Sequence, residues 1–459
     1  MFDTITAIAT PFGNGGIGVI RISGPDSFEL ASKLFSVKKT SFSPLKEFES
    51  HRVRHGYIFN EEKTAVIDEV LLIPMKGPSS YTAEDVIEIQ AHSGTFVLRA
   101  ILEEIVSLGA RLSEPGEFTK RAFLNQKIDL TQAEAVIDII QAKSHNALKI
   151  ASSQMAGVFG RKIKTLRQDL IDFLALIEAS IDFPDDVEAF TPSEKKIGEI
   201  REIFEQCRKF IRQHNDACFL KEGIRITICG APNVGKSSLM NRLMEKDRSI
   251  ITPIPGTTRD PVEDVLNIDG ASFVITDTAG IHETDDLVEI IGIEKAKEYI
   301  NEADLVLFVK ESGTVFSNKE FEKLLPANKK VIFVINKIDL NDKALPELTG
   351  KYKHIPVVKI SALQNEGIQE LKQAILHVCI AELNIENSPV IPNLRHKKAL
   401  EQAVIGLEAI LTELEGGKPE EETLAFEIKQ TVDALGNITG ETASVDILDI
   451  IFSNFCIGK

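Results

Sequence analysis

One short stretch constrains the fold of this chain more than any other, because residues 230–237 read GAPNVGKS. The stretch matches the P-loop pattern G-x-x-x-x-G-K-[ST], and the alternating apolar segment 224–229 precedes it while a helical pattern follows. Its glycines let backbone N–H groups wrap phosphates at the N-terminus of a helix. We expect Lys236 to reach the β- and γ-phosphates and the Ser237 hydroxyl to bind Mg²⁺.

The region around this loop alternates candidate strands with helical patterns. The candidate strands are 224–229, 262–268, 272–277, 304–309, 331–335 and 356–360. Asp269-Gly270 predicts a hairpin between the second and third strands, whereas the other connections require helical crossovers. The pattern predicts a Ras-like α/β domain over 219–384 with a mostly parallel six-stranded sheet.

Base recognition is predicted from the motif Asn336-Lys337-Ile338-Asp339, which follows the apolar strand 331–335. The Asp339 carboxylate can accept hydrogen bonds from N1–H and the 2-amino group of guanine, a donor pair that adenine lacks. A polar site that the wrong base leaves unpaired discriminates by factors of ~10⁴. Residues 361–363 (SAL) can offer backbone N–H to the guanine oxygen, so the expected ligand is GTP or GDP.

Two further segments complete the predicted nucleotide site. The DTAG segment at 277–280 ends the third strand, where Asp277 can hold Mg²⁺ through water and Gly280 can contact the γ-phosphate. The GTTRD segment at 256–260 supplies Thr258 as a second hydroxyl ligand of Mg²⁺. The residues predicted to contact GTP are Asn233, Val234, Gly235, Lys236, Ser237, Ser238, Thr252, Thr257, Thr258, Asp277, Thr278, Ala279, Gly280, Asn336, Lys337, Asp339, Ser361, Ala362 and Leu363.

The flanks of the sheet domain have different patterns. Residues 1–118 are β-rich, and 119–218 and 385–459 show helical periodicity. Amphipathic helices on both sides of the sheet domain each need an apolar partner, so we expect the two helical segments to pack together around an insertion. Thr131 with Glu134 predicts a capping box, and Thr191 predicts the N-cap of a later helix.

Composition limits the function classes. The formal charge of −17 over 459 residues opposes a broad, nonspecific nucleic-acid surface, including a DNA-binding one, but allows a local basic patch. Five scattered cysteines without a CxxC pair indicate reduced thiols. With no apolar run near 18 residues and no basic, apolar N-terminus, we expect a cytoplasmic protein without membrane spans.

Four segments outside the nucleotide motifs are distinctive: GVIRISG at 18–24, YTAEDVIEIQAHSG at 81–94, EPGEFTKRAFLNQKIDLTQAEA at 114–135 and FCIGK at 455–459. Together with the nucleotide motifs, they resemble the MnmE (TrmE) family of tRNA-modification GTPases. The resemblance covers essentially the whole chain. It implies a homodimer with an N-terminal tetrahydrofolate-binding domain, a helical domain and an inserted GTPase domain. It also implies a heterotetramer with the flavoprotein MnmG. In that assembly, gated by GTP hydrolysis, a one-carbon unit from 5-formyl- or 5,10-methylene-tetrahydrofolate helps build a carboxymethylaminomethyl-type group on C5 of the wobble uridine of certain tRNAs.

The resemblance also implies roles for single residues. The implied folate-binding residues are Arg21, Glu88, Lys127 and Lys459, and the implied K⁺ ligands are Asn233, Thr252, Ile254 and Thr257. Ile281 stands where Ras-like enzymes place a glutamine, so another group must orient the attacking water, and Glu289 occupies the family's catalytic position. From the residues alone, Asn233 suits ordinary loop hydrogen bonding and Glu289 a solvated acid. Cys456 is either a small buried hydrophobe or a participant in a tail function.

The amino-acid sequence also allows competing functions. The GNGGIG stretch at 13–18 formally matches a dinucleotide fingerprint, but strand-forming residues follow it, which favours a glycine turn. A GTPase that assembles ribosomal RNA would carry an RNA-binding module, and no GXXG beside a basic helix occurs near the C-terminus. A membrane-transporting GTPase would need apolar spans.

Overall fold

The structure is a computed structural model that describes most of the chain. The described residues are 3–11, 13, 15–45, 47–142, 144–183, 190–244, 264–268, 271–277, 299–314, 329–340, 353–380, 391–417 and 419–459. Only the backbone is described for 216–222, 264–265, 276–277 and 380.

A seven-stranded sheet forms the N-terminal part. Its strands are β1 (Ile5–Ile8), β2 (Ile17–Ser23), β3 (Phe35–Ser36), β4 (Arg54–Phe59), β5 (Val66–Met75), β6 (Val86–His92) and β7 (Arg111–Leu112), in the order β3-β4-β5-β6-β2-β1-β7. Helices α1 (Ser27–Leu34) and α2 (Thr95–Ser107) cover one face, where Ile20 and Ile89 are fully buried. Alternation along β2 and β6 therefore places Arg21 and its register partner Glu88 on the opposite face.

A second, six-stranded sheet follows the helical part. Its strands are β8 (Ile224–Cys229), β9 (Asp264–Ile268), β10 (Ala271–Asp277), β11 (Leu305–Glu311), β12 (Lys330–Asn336) and β13 (Val357–Lys359), in the order β13-β12-β11-β8-β10-β9. Only β9, at the edge, pairs antiparallel. The described helices beside the sheet include α8 (Lys236–Met244) and α9 (Ile368–Ile380). The predicted mostly parallel sheet with one antiparallel edge is confirmed.

The remaining helices form an α-helical part. They are α3 (Glu117–Leu124), α4 (Leu130–Gln141), α5 (His145–Met155), α6 (Val158–Asp182), α7 (Glu194–Glu222), α10 (Leu394–Glu415), α11 (Glu421–Thr439) and α12 (Val445–Ser453). Leu170 of α6, Cys207 of α7, Leu407 of α10 and Leu435 of α11 lie in one buried core. This core confirms that helices from before and after the six-stranded sheet pack together. Among the described helices, none is both long and apolar enough to cross a bilayer.

Two helix starts differ from the sequence prediction. The N-cap of α4 is Asp129, whose carboxylate accepts from the backbone N–H of Gln132 while the Gln132 side chain accepts from the Asp129 N–H. The predicted Thr131–Glu134 capping box is therefore wrong, because a better capping pair lies two residues earlier. The start of α7 is also capped later than predicted, by the Ser193 hydroxyl, which accepts from the N–H of Lys196, and not by Thr191.

Candidate nucleotide site and N-terminal polar cluster

The phosphate loop between β8 and α8 depends on glycine at two positions. Gly230 has φ +151°, and a Cβ there would lie 2.2 Å from the carbonyl oxygen of Val309. Gly235 has φ +94°, and its Cβ would lie 2.3 Å from Nδ2 of Asn336. A side chain at either position would force the loop away from the strands behind it. The glycines of the P-loop pattern thus hold the loop close against the sheet.

Polar side chains of the loop surround the position predicted for the phosphates. Lys236 begins α8, and its Nζ donates to the carbonyl oxygens of Gly230 at 3.0 Å and Ala231 at 2.9 Å. A phosphate in the loop would offer Lys236 a stronger, charge-assisted partner than these neutral carbonyls. Ser237 and Ser238 are exposed in the first turn of α8, and Val234 is buried beneath the loop. The arrangement suits an anion at a helix N-terminus.

The guanine-recognition segments are tied to the phosphate loop by the buried amide of Asn336. Its Nδ2 donates to the carbonyl oxygen of Val234 at 2.9 Å, and its Oδ1 accepts from the N–H of Ala362 at 3.1 Å. One carboxylate oxygen of Asp339 accepts from the Ser361 hydroxyl at 2.5 Å. Three separate motifs therefore form one connected unit, with Leu363 exposed at its surface.

Two contacts in this region were not predicted. Arg242 of α8 donates from Nε to the carbonyl oxygen of Ala362 at 2.8 Å and from Nη2 to that of Leu363 at 2.9 Å. Lys337 has φ +64°, and its Nζ lies 3.0 Å from a carboxylate oxygen of Glu311. The only sequence signal for the first contact was a basic residue in the last turn of α8.

The second sheet brings the predicted strand-end residues to one edge. In the parallel ladders Asp277 pairs with Ile228 and Glu311 pairs with Asn336, so the carboxyl ends of β8, β10, β11 and β12 lie together. Several predicted site residues lie outside the described part of the chain: Thr252, Ile254, Thr257, Thr258, Thr278, Ala279, Gly280, Ile281 and Glu289.

A second group of predicted residues includes Arg21 and Glu88, which pair on the face of the first sheet opposite α1 and α2, where Phe118 of α3 packs beside Arg21. We call Arg21, Glu88, Lys127 and Lys459 the N-terminal cluster. Arg21 donates to Oε1 of Glu88 from Nε at 2.9 Å and from Nη2 at 2.8 Å. Its guanidinium carbon lies 4.7 Å from the centre of the Tyr81 ring. Tyr81 was not singled out from the sequence, although it opens the segment 81–94 that carries the family resemblance.

The end of the chain reaches this cluster through Gly458. Its carbonyl oxygen accepts from Nη1 of Arg21 at 3.2 Å. Gly458 has φ +91°, and a Cβ would lie 2.5 Å from the carbonyl oxygen of Ile8 in β1. Glycine therefore allows the tail to lie against the strand. Cys456 is exposed, so its interpretation as a buried hydrophobe is wrong.

The two lysines of the N-terminal cluster are partly desolvated. Burial, followed by the nearby Arg21 charge, lowers the pKa of Lys459 below its ordinary value. Burial also lowers the pKa of Lys127, whose Nζ donates to the carbonyl oxygen of Ser80. Arg21 and Lys459 thus lie near the Glu88 carboxylate, and an anion bound beside the two lysines would stabilise their charged forms.

The sequence comparisons cover the whole chain. The family model described as "MnmE helical domain" matches residues 130–456, and the one described as "GTP-binding protein TrmE N-terminus" matches residues 4–127. The chain is 44% identical over 461 residues to the tRNA modification GTPase MnmE of Acetivibrio thermocellus, covering 100% of this chain and 99% of that protein. It is 42% identical over 467 residues to the MnmE of Thermoanaerobacter pseudethanolicus, covering 100% of both.

Among solved structures, Era from Aquifex aeolicus bound to GDP and aluminium fluoride is 34% identical, covering 40% of this chain and 66% of that chain. The TM-score of 0.28 is too low for any structural conclusion to rest on this likeness. Matching models over both parts of the chain, together with full-length relatives at 42% and 44% identity, show that this chain belongs to the MnmE family of tRNA modification GTPases.

Proposed function

We propose that this chain hydrolyses GTP to gate the modification of the wobble uridine in certain tRNAs. It works in a heterotetramer with the flavoprotein MnmG, and the pair adds a carboxymethylaminomethyl-type group at C5. The one-carbon unit comes from 5-formyl- or 5,10-methylene-tetrahydrofolate. The observation that carries this proposal is the presence of two built sites in different parts of one chain, the connected nucleotide motifs and the N-terminal cluster.

The nucleotide motifs support binding of GTP with Mg²⁺. Lys236 holds the β- and γ-phosphates, and Asp339 selects guanine. The exposed Ser237 hydroxyl at the start of α8 suits Mg²⁺, with Thr258 as the proposed second ligand and Asp277 acting through water. Bound Mg²⁺ would neutralise phosphate charge as the γ-phosphate leaves.

We assign K⁺ to Asn233, with Thr252, Ile254 and Thr257 completing its ligands. Asn233 is exposed and has φ +61° in the phosphate loop, beside the region where phosphates would lie. A monovalent cation there would offset transition-state charge as an arginine finger does elsewhere. Hydrolysis should then be faster in K⁺ than in Na⁺ at matched ionic strength, and Asn233→Ala should remove that difference. Equal rates for the unaltered protein in both salts would reject the K⁺ assignment.

The N-terminal cluster suits a tetrahydrofolate. Both hydrogen bonds from Arg21 to Glu88 go to Oε1, so Oε2 can take part in accepting the paired N–H donors of a pterin ring. Lys127 and Lys459, both partly desolvated, are suited to the anionic glutamate tail, together with Arg21. The exposed Cys456 lies in the same C-terminal segment of the protein as Lys459 and is available for a role in the chemistry.

A homodimer is supported by the face of the first sheet opposite α1 and α2. On this face Ile17 is 65% exposed and Leu71 is 38% exposed, in line with Arg21 and Glu88. Apolar side chains that stay exposed on a sheet face favour association with another surface. We place the dimer in the cytoplasm with tRNA as substrate, without a membrane or DNA partner.

The decisive experiment is mass analysis of wobble-uridine nucleosides from cells that lack this protein. The proposal predicts loss of the C5 aminomethyl-type group, restored by the unaltered gene but not by a Glu88→Ala gene. Normal modification in the deletion strain would reject the proposed function. Restoration by Glu88→Ala would reject the folate site.

A further inference from the structure

A buried arginine next to the N-terminal cluster has no role in the proposed chemistry. Arg121, on α3, is 2% exposed and is among the largest fully buried side chains of the described residues. Its Nη1 donates to the carbonyl oxygen of Asp3 at 2.6 Å and to Oε2 of Glu84 at 3.2 Å. Its Nη2 donates to Oδ1 of Asp3 at 2.7 Å and to Oε1 of Glu117 at 3.0 Å. A buried charge is costly unless several partners compensate it, and these partners come from three chain segments.

The partner that matters for the site is Glu84, in the loop between β5 and β6. The same Oε2 of Glu84 accepts from the Ser23 hydroxyl at 2.7 Å. The Ser23 hydroxyl is also 2.7 Å from that of Thr82, and Nδ2 of Asn125 donates to the Thr82 carbonyl oxygen at 2.8 Å. Hydrogen bonds from Arg121 and Asn125 thus hold this loop against α3, and the hydrogen bond from Ser23 holds it against the end of β2.

The loop carries two groups that face the N-terminal cluster. The Tyr81 ring lies over the Arg21 guanidinium, and the Tyr81 hydroxyl is 2.8 Å from the Thr119 hydroxyl on α3. The Ser80 carbonyl oxygen accepts from Lys127. The position of the loop therefore sets the surroundings of two cationic side chains.

We propose that Arg121 is a positioning residue for the folate site. Through Glu84 it holds the loop 80–84 so that Tyr81 orients Arg21 and Ser80 orients Lys127. Arg121 itself does not touch the ligand. The inference rests on the proposed function, because it assumes that the N-terminal cluster binds a tetrahydrofolate.

The chain provides a matched control for a general structural effect. Arg111 shares two of the partners of Arg121, with Nε 2.6 Å from Oδ2 of Asp3 and Nη2 2.7 Å from Oε1 of Glu117. Its described contacts do not include Glu84, and its side chain is 45% exposed. Arg111→Gln therefore disturbs the shared ion pairs without cutting the link to the loop.

The test measures the Kd of the full-length protein for 5-formyl-tetrahydrofolate by calorimetry, alongside thermal unfolding and GTP turnover. Arg121→Gln should raise Kd by about tenfold or more, because a displaced loop misplaces Arg21 and Lys127 and the loss of one charge-assisted hydrogen bond to the ligand has an effect of that size. Arg121→Lys should recover part of the affinity, and Arg111→Gln should stay within about twofold of the unaltered protein, as expected for an exposed pair. GTP turnover should not change in any variant.

The outcomes separate the inference from the proposal beneath it. Equal weakening by Arg121→Gln and Arg111→Gln, or unchanged affinity in Arg121→Gln while Glu88→Ala abolishes binding, would overturn the positioning role alone. If the unaltered protein gives no heat with folate, the proposed folate site fails and the inference fails with it. Should Arg121→Gln not fold, Glu84→Gln provides the same test, since it weakens the link from the loop side. Unchanged affinity in Glu84→Gln would then overturn the inference.

Discussion

The nucleotide site and the N-terminal cluster are built in opposite ways. The phosphate loop is one contiguous stretch, 230–237, in which glycines and a helix N-terminus provide the binding geometry. The N-terminal cluster takes Arg21, Glu88, Lys127 and Lys459 from four distant segments, the last at the end of the chain. A backbone site can be recognised from a short motif, whereas a side-chain site exists only when distant parts of the fold meet.

The two sites also differ in where their charge comes from. The loop offers backbone N–H dipoles and Lys236, whose Nζ donates to the carbonyl oxygens of Gly230 and Ala231. The cluster concentrates side-chain charges, and burial lowers the pKa of both Lys127 and Lys459. Substitutions should therefore act on one site without the other.

The largest expected effect concerns hydrolysis. Glu289→Ala should lower kcat by ~10²–10⁴, the range for a positioned acid–base group, because Ile281 cannot hydrogen-bond the attacking water. GTP affinity and folate affinity should barely change. Single-turnover assays with separately measured nucleotide affinity check this, with Glu283→Ala as the control. If Glu283→Ala hydrolyses GTP slowly while Glu289→Ala hydrolyses it at the normal rate, the catalytic role belongs elsewhere in the segment 281–289.

A smaller effect is expected when Glu88 is removed from the N-terminal cluster. Glu88→Ala leaves the buried Arg21 without its carboxylate and removes the proposed pterin acceptor, so folate affinity should fall by ~10²-fold. GTP turnover should remain normal. Calorimetry checks this against Glu69→Ala, an exposed carboxylate on β5 that contacts His55. A parallel fall in GTP turnover would contradict the independence of the two sites.

Removal of the Lys459 charge should lower folate affinity less than removal of Glu88. Lys459→Ala should weaken folate binding by about tenfold, since the anionic glutamate part of the folate loses one charge-assisted partner while the rest of the cluster remains. Lys33→Ala on α1, whose ammonium group pairs with Glu29, is the control and should bind normally. Titration with 5-formyl-tetrahydrofolate measures both variants, and equal affinities would remove Lys459 from the site.

The smallest effect is a pH dependence of stability beside the cluster. The Arg111 hydrogen bond is the main cause that lowers the pKa of Asp3 from 3.8 to about 2. A carboxyl pKa that is lower in the folded than in the unfolded state stabilises the fold at any pH above the unfolded-state pKa. This contribution is lost as the pH falls from about 4 towards 2. Asp3 is half-exposed, so the contribution should be ~0.2–1 kcal/mol. Thermal unfolding of Asp3→Asn should show a deficit at pH 6 that narrows at pH 3, and a constant deficit would contradict this origin.

Local patterns predicted much of the fold because their signals lie within a few residues of each other. The strand β8 was predicted at its observed bounds. The predicted antiparallel pairing on either side of Asp269-Gly270 agrees with the ladder of β9 and β10, although these two residues lie outside the described part of the chain. The helix starts at Asp129 and Ser193 were missed because several nearby polar residues can each cap a helix. The Glu134 carboxylate is not available for the predicted capping box, because it pairs with Arg395 of α10.

The amino-acid sequence by itself determined the phosphate loop, the guanine motif and the alternation of strands and helices, because turn geometry and periodicity act over short separations. Only the tertiary structure decided that Asn336 joins the phosphate loop to the turn at Ala362, and that Gly458 brings the tail to Arg21. The buried Arg121 network was likewise invisible, because its partners Asp3 and Glu84 are far away in sequence. Such contacts form only after the sheets and helices have packed, when burial makes each unpaired polar group costly.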